Sequence, residues 1–286
     1  MIYKTSINTL KIEHNSLKVK NYERILKRVI KVDAFNKLAK LSVFTIKDVD
    51  KLTNNVKTAY SLLYRLMKKG QVKKIRQNIY SCVNPATGQV VASPYQIACA
   101  VTNTAYISHH SAFEFYGLAN QVYYEVYVSS EARFRDFEFE GITYKYIASK
   151  LKNGVVEAKN TTGVRVTDLE RTVIDSIKDF EKVGGLEELL HCLEGVHYLD
   201  ENKLKSYLDA YNLQALYQKT GYLLEHYKKE VQLSDEFIKY CKSKIGKSTQ
   251  YLLRESNDEK YYNSEWKLVV PENLFLITDQ SGEVYG

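Results

Sequence analysis

The order of local signals across residues 43–83, VFTIKDVDKLTNNVKTAYSLLYRLMKKGQVKKIRQNIYSCV, constrains this chain more than any other stretch. Residues 45–52 read as a short helix, with Thr45 as N-cap and Asp48 three residues on, the spacing of a reciprocal cap. Thr53, Asn54 and Asn55 form a tight polar turn, in which Asn54 suits the N-cap of a second helix. That helix, residues 56–69, places Val56, Ala59, Leu63, Leu66 and Met67 on one face at helical spacing. Gly70 then stops it as a left-handed C′ residue. Residues 71–75 and 78–83, joined through Arg76, Gln77 and Asn78, read as a basic β-hairpin. Helix, turn, helix, basic hairpin is the order of a winged helix-turn-helix.

The face opposite the apolar stripe suits duplex DNA. It carries Lys57, Thr58, Ser61, Arg65 and Lys68, with Asn54 and Asn55 in the turn, and the hairpin adds Lys73, Lys74 and Arg76. Short polar side chains near a helix N-terminus reach base edges, while Lys and Arg neutralise phosphates. Base readout is therefore expected from Asn54, Asn55, Thr58, Ser61 and Arg65. Phosphate contacts are expected from Lys57, Lys68, Lys73, Lys74 and Arg76.

Composition matters here through its asymmetry. Residues 1–83 hold 19 Lys and Arg against 5 Asp and Glu, whereas residues 84–286 hold 22 against 29. A basic head on an acidic body is the footprint of a nucleic-acid-binding domain joined to a part with another task. The turn cluster at residues 84–88 gives the expected boundary, with a DNA-binding domain over 1–84 and a second domain over 85–286. Within the second, 85–180 reads as mixed α/β and 181–286 as mainly helical. The expected fold is thus α+β.

An amphipathic helix over 22–41 would be the first of the winged domain, with Ile25, Val29, Val32, Phe35, Leu38 and Ala39 inward. Ser93, Pro94 and Gln96 open a helix by cap, proline and N3 glutamine. Ser108 reads as the cap of a helix ending at Gly117. A short strand is expected at 105–107, period-two patterning from 121 marks strands at 122–128, 134–140 and 142–148, and 155–158 with 163–166 read as a further hairpin. Thr167 with Glu170 reads as a capping box for a helix through Ile177. Helices follow at 185–194, 201–211, 213–231 and 235–245, and a last strand at 266–270.

Three segments carry a family resemblance: YISHHSAFEFYGL (106–118), VRVTDLERTVIDSI (164–177) and GGLEELLHCLEGV (184–196). In this order behind a winged helix, they resemble the AbiEi antitoxin family of bacterial abortive-infection systems, over about residues 21–245. The resemblance implies a transcriptional regulator of a phage-defence toxin–antitoxin operon that binds repeats in its own promoter. It also implies a body that counteracts a nucleotidyltransferase-type toxin; whether the two proteins touch is left open. The motif residues have structural readings: Ser108 and Thr167 as caps, and Arg171 with Asp175, four apart, as a helix-face pair.

Other chemistry finds little purchase. Cys82, Cys99, Cys192 and Cys241 are widely spaced and suggest neither a disulfide frame nor zinc. No apolar run approaches the ~20 residues a membrane span requires, and a cytoplasmic setting is expected. Residues 245–249 end like a phosphate loop, but Cys241 stands where its first glycine belongs. Asp136, Glu157 and Lys159 on strand candidates have the flavour of a Mg²⁺-dependent nuclease. His109 and His110 are adjacent and would point about 100° apart on a helix. Neither an enzyme, a metal nor a cofactor is called for. The alternatives are a winged-helix regulator whose body senses a ligand or a protein, and the nuclease.

Overall fold

Residues 34–253 and 259–276 are described in a computed structural model of the chain. The expected helix at 22–41 falls within them only at its end: residues 34–39 are helical, with Leu38 fully buried. Its Ile25, Val29 and Val32 lie outside the described residues, as do residues 1–20. The chain divides into two compact units, Met1–Ile97 and Ala98–Gly286. The turn cluster at 84–88 is thus inside the first unit. Ala92 N donates to Ser81 Oγ, and Gln96 Nε2 donates to Ser42 Oγ, so the segment after the turn folds back onto the first unit.

In the first unit, β1 (Val43–Phe44) leads into α1 (Ile46–Thr53). The Asp48 carboxylate accepts from both the Thr45 amide (2.9 Å) and its hydroxyl (2.8 Å), as the spacing predicts. Asn54 does not cap the next helix. It takes a left-handed conformation (φ 51°) that closes α1, and the extended Asn55 caps α2 (Val56–Lys68). The buried face of α2 is Ala59, Leu62, Leu63 and Leu66; Val56 and Met67 are exposed. Both lie toward the edge of that face at about 100° per residue. Strands β2 (Val72–Arg76) and β3 (Ile79–Cys82) form an antiparallel hairpin, and β1 pairs with β3 to give the order β1-β3-β2. The core beneath gathers Leu38, Phe44, Val49, Leu63 and Val72. Helix α3 (Pro94–Ala100) opens on the expected reciprocal bonds between Ser93 and Gln96.

The second unit is built on a mixed six-stranded sheet. Its strands are β4 (Tyr106–Ile107), β5 (Glu125–Ser130), β6 (Phe137–Phe139), β7 (Ile142–Ala148), β8 (Val155–Glu157) and β9 (Arg165–Thr167). The spatial order is β6-β7-β5-β4-β9-β8, parallel at β5/β7 and β4/β9. Helix α4 (His110–Phe115) follows β4, and α5 (Leu169–Lys178) follows β9. Helix α5 is buried from Glu170 to Ile177. Against it pack α6 (Leu186–Glu194), α7 (Glu201–Tyr211) and α8 (Gln214–His226), and α9 (Asp235–Ser243) packs on α8. A three-stranded sheet, β10 (Gln250–Tyr251), β11 (Lys260–Asn263) and β12 (Leu268–Pro271), completes the unit. Two of its strands carry no period-two signal long enough to read.

The architecture is therefore mixed α/β. Two expected caps move. Thr167 pairs with Val155 as the last residue of β9, so Asp168 caps α5 and accepts from Arg171 N at 2.9 Å. Glu170 instead accepts from Asp200 N and Lys203 Nζ, tying α5 to α7. Ser108 turns its hydroxyl to Ser129 Oγ and His109 Nδ1, leaving His109 at the start of α4.

Candidate nucleic-acid interface

Helix α2 fixes which side chains face solvent. With Ala59, Leu62, Leu63 and Leu66 turned inward, Lys57, Ser61, Tyr64 and Lys68 line the opposite side, at spacings of four, three and four residues. That line covers ~16 Å of helix, three turns. Tyr60 and Arg65 flank it, both exposed. Tyr64 is 65% and Tyr60 57% exposed, large aromatic rings left in water beside cations. Neither belongs to the apolar stripe or to the cations and short polar residues expected at DNA, and their i, i+4 spacing beside the basic face is the signal in the sequence that marks them.

The candidate readers divide by what already engages them. Asn55 Oδ1 accepts from Thr58 N (3.0 Å) and Thr58 Oγ1 (3.2 Å), so that oxygen and that hydroxyl serve the N-cap. Asn54 is exposed at the turn. Arg65 Nε donates to Ser61 O at 3.0 Å, which lays the arginine stem along the helix. Lys57, Ser61 and Lys68 are exposed.

The hairpin stands next to this helix pair through a bond at its tip. Asn78, left-handed at φ 59°, accepts from Ile46 N at 3.1 Å, joining the β2–β3 turn to the first turn of α1. Lys74 is exposed, and Arg76 is half-buried at the strand end. Lys73 Nζ donates to Gly88 O at 3.0 Å, so a phosphate contact from Lys73 competes with that bond. No Asp or Glu occurs between Asp50 and Glu114, while that interval holds eight Lys and Arg. α2 and the hairpin thus present cations with no carboxylate among them, an arrangement that attracts a polyanion.

The paired-carboxylate reading of Asp136, Glu157 and Lys159 fails on topology. Asp136 precedes β6 at one edge of the six-stranded sheet, and Glu157 lies in β8 at the other. Asp136 Oδ1 accepts from Tyr146 N at 2.9 Å and so braces the β6–β7 pair. Two carboxylates that must share one cation cannot do so with four strands between them. Among the described residues, no helix is long and apolar enough to cross a membrane.

No family model matches the chain, and no curated protein matches it. The mixed α/β architecture does recur among solved structures. The crystal structure of the RV2827C protein from Mycobacterium tuberculosis is similar at a TM-score of 0.63, covering 90% of this chain and 94% of that chain. The two are 15% identical in sequence, so the likeness is one of fold.

Proposed function

We propose that this chain is a winged helix-turn-helix transcriptional regulator that binds duplex DNA at an operator beside its own gene. Helix α2 is the recognition helix and the β2–β3 hairpin is the wing. The observation that carries the reading is the carboxylate-free basic face of α2 and the hairpin, with exposed Ser61 and Tyr64 between Lys57 and Lys68. Lysines at the rim neutralise phosphates and orient the helix, while Ser61, Arg65 and the Asn54–Asn55 turn meet base edges. The tyrosines add flat, amphipathic contact area to the same face. With the AbiEi resemblance, the second unit is the antitoxin part, counteracting a nucleotidyltransferase-type toxin in a phage-defence operon.

Gel shifts with single variants test the assignment of faces. Arg65→Ala relaxes sequence preference and costs ~1–3 kcal/mol on the operator. Lys74→Ala weakens operator and random DNA alike and reduces the salt slope by ~1. An Arg65→Ala protein with unchanged operator preference places the reading face elsewhere. Co-expression with the neighbouring gene tests the antitoxin half: the reading requires that toxicity return when the second unit is deleted and remain suppressed with the full chain.

A further inference from the structure

The second unit contains a cavity of about 360 Å³ that the DNA reading leaves without a task. At its wall stands a residue with a left-handed φ. His109 joins β4 to α4 at φ 52° and ψ −132°, backbone angles that disfavour a side chain. Holding a non-glycine residue there costs ~1–3 kcal/mol, which persists only where the surroundings enforce it. The strain delivers the imidazole into the cavity wall. Its Nδ1 lies 2.9 Å from Ser108 Oγ, which fixes the ring, while Nε2 is buried with no hydrogen-bond partner among the described residues. The side chain is 3% exposed.

Across from Nε2 stands Asp179 Oδ2 at 4.0 Å. That is too far for a direct bond and is the gap one oxygen fills at about 2.8 Å from each. A ligand hydroxyl placed there would make both bonds. Burial lowers the His109 pKa from 6.5 to about 4, so the ring is neutral near pH 7 and meets a hydroxyl without a charge of its own.

The remaining wall sets the ligand's charge. Lys150, Lys178, Lys182 and Arg171 line the cavity against Asp175 and Asp179, leaving two positive charges in excess. Asp175 is committed to Arg171 and to the Tyr211 hydroxyl, and Asp179 is held by Lys178 and Lys182. The excess matches a phosphate monoester, which carries ~1.5–2 negative charges at neutral pH. The volume is that of a small-molecule site.

We propose that this cavity binds a small hydroxylated phosphate ester, its phosphate toward Lys150 and Lys182 and a hydroxyl bridging His109 Nε2 and Asp179. The shared chemistry covers sugar phosphates and nucleoside monophosphates. The proposal makes no use of the DNA reading, and loss of operator binding leaves it standing.

The test is a titration of the full chain carrying ¹³C-labelled histidine, following the His109 ring signal by NMR. Inorganic phosphate, ribose 5-phosphate, adenosine and adenosine 5′-monophosphate are added separately. The expected result is saturable movement with one or both esters, at an affinity at least about tenfold above inorganic phosphate and above adenosine. Equal response to both esters assigns a sugar phosphate; preference for the nucleotide assigns a base contact as well. Lys182→Met weakens the ester about tenfold or more, and Asp179→Asn removes its advantage over inorganic phosphate. His109→Phe identifies the signal; should that variant not fold, Lys182→Met, altered at a partly exposed side chain, serves with the wild type. No saturable movement with either ester overturns the proposal, as does ester binding unchanged by Lys182→Met.

Discussion

Arg171 is 1% exposed, and its Nε lies 2.8 Å from both oxygens of Asp175, which also accepts from Tyr211 at 2.6 Å. Burial works against the guanidinium's charge, but Asp175 more than offsets this and holds the Arg171 pKa above its ordinary value. An ion pair at that depth need not add net stability, yet breaking it leaves a lone buried charge. Asp175→Ala is therefore expected to cost ~3–5 kcal/mol in urea unfolding, far more than an exposed i, i+4 pair. A loss under ~1 kcal/mol would mean that solvent reaches the guanidinium. His109 gives a second expectation at this scale. Desolvation lowers its pKa from 6.5 to about 4, with Asp175 and Asp179 opposing that shift and Lys182 and Lys178 reinforcing it. Between these values the unfolded chain takes up a proton that the folded ring refuses. Stability is thus full above pH 6.5 and falls as the pH drops toward 4, by up to ~3 kcal/mol. His109→Gln removes that part of the pH dependence, and a variant with the same slope as wild type between pH 7 and 4 would assign it to other groups.

Among elements, the docking of the C-terminal sheet on α8 rests on one glycine. A Cβ at Gly221 would stand 2.1 Å from the Trp266 ring, so the bare backbone is what lets the indole lie against α8. Trp266 is fully buried, and its Nε1 donates to Glu225 Oε2 at 2.6 Å. Gly221→Ala is expected to expel the ring, at ~1–3 kcal/mol for overpacking. The chain has a single tryptophan, so a red shift of its fluorescence reports the change directly. An unshifted emission would contradict the close approach. None of this was legible in sequence, because it joins residues 45 apart through side-chain shape. What was legible is the set of helices with uninterrupted amphipathic pattern, such as α7 (Glu201–Tyr211), and the strand Ile142–Ala148 with its alternation. Caps were misread by one residue where a neighbour was claimed first: Thr167 by pairing with Val155, Asn54 by closing α1. The candidate interface was legible as a set of cations and polar residues. The engagement of Asn55, Thr58 and Lys73 was not, since it depends on cap and loop geometry rather than composition.

For the whole molecule, the governing fact is how charge is parcelled along the chain. The first 83 residues carry a large basic excess and the remainder an acidic one, the charge split on which the proposed DNA-binding head rests. The six-stranded sheet of the second unit keeps Asp136 and Glu157 at opposite edges, and Arg171, Asp175 and Asp179 gather at the His109 cavity instead. The central claim is sequence-preferring DNA binding by the head. Footprinting the full chain on the ~200 base pairs upstream of its gene, with affinity measured across a salt series, tests it most directly. With Lys57, Lys68, Lys73, Lys74 and Arg76 on phosphates, the expected outcome is a protected repeat preferred over random DNA and a log–log salt slope of about −4 to −5 per protomer. Salt-sensitive binding without any protected site would contradict the account, reducing the basic head to an electrostatic anchor.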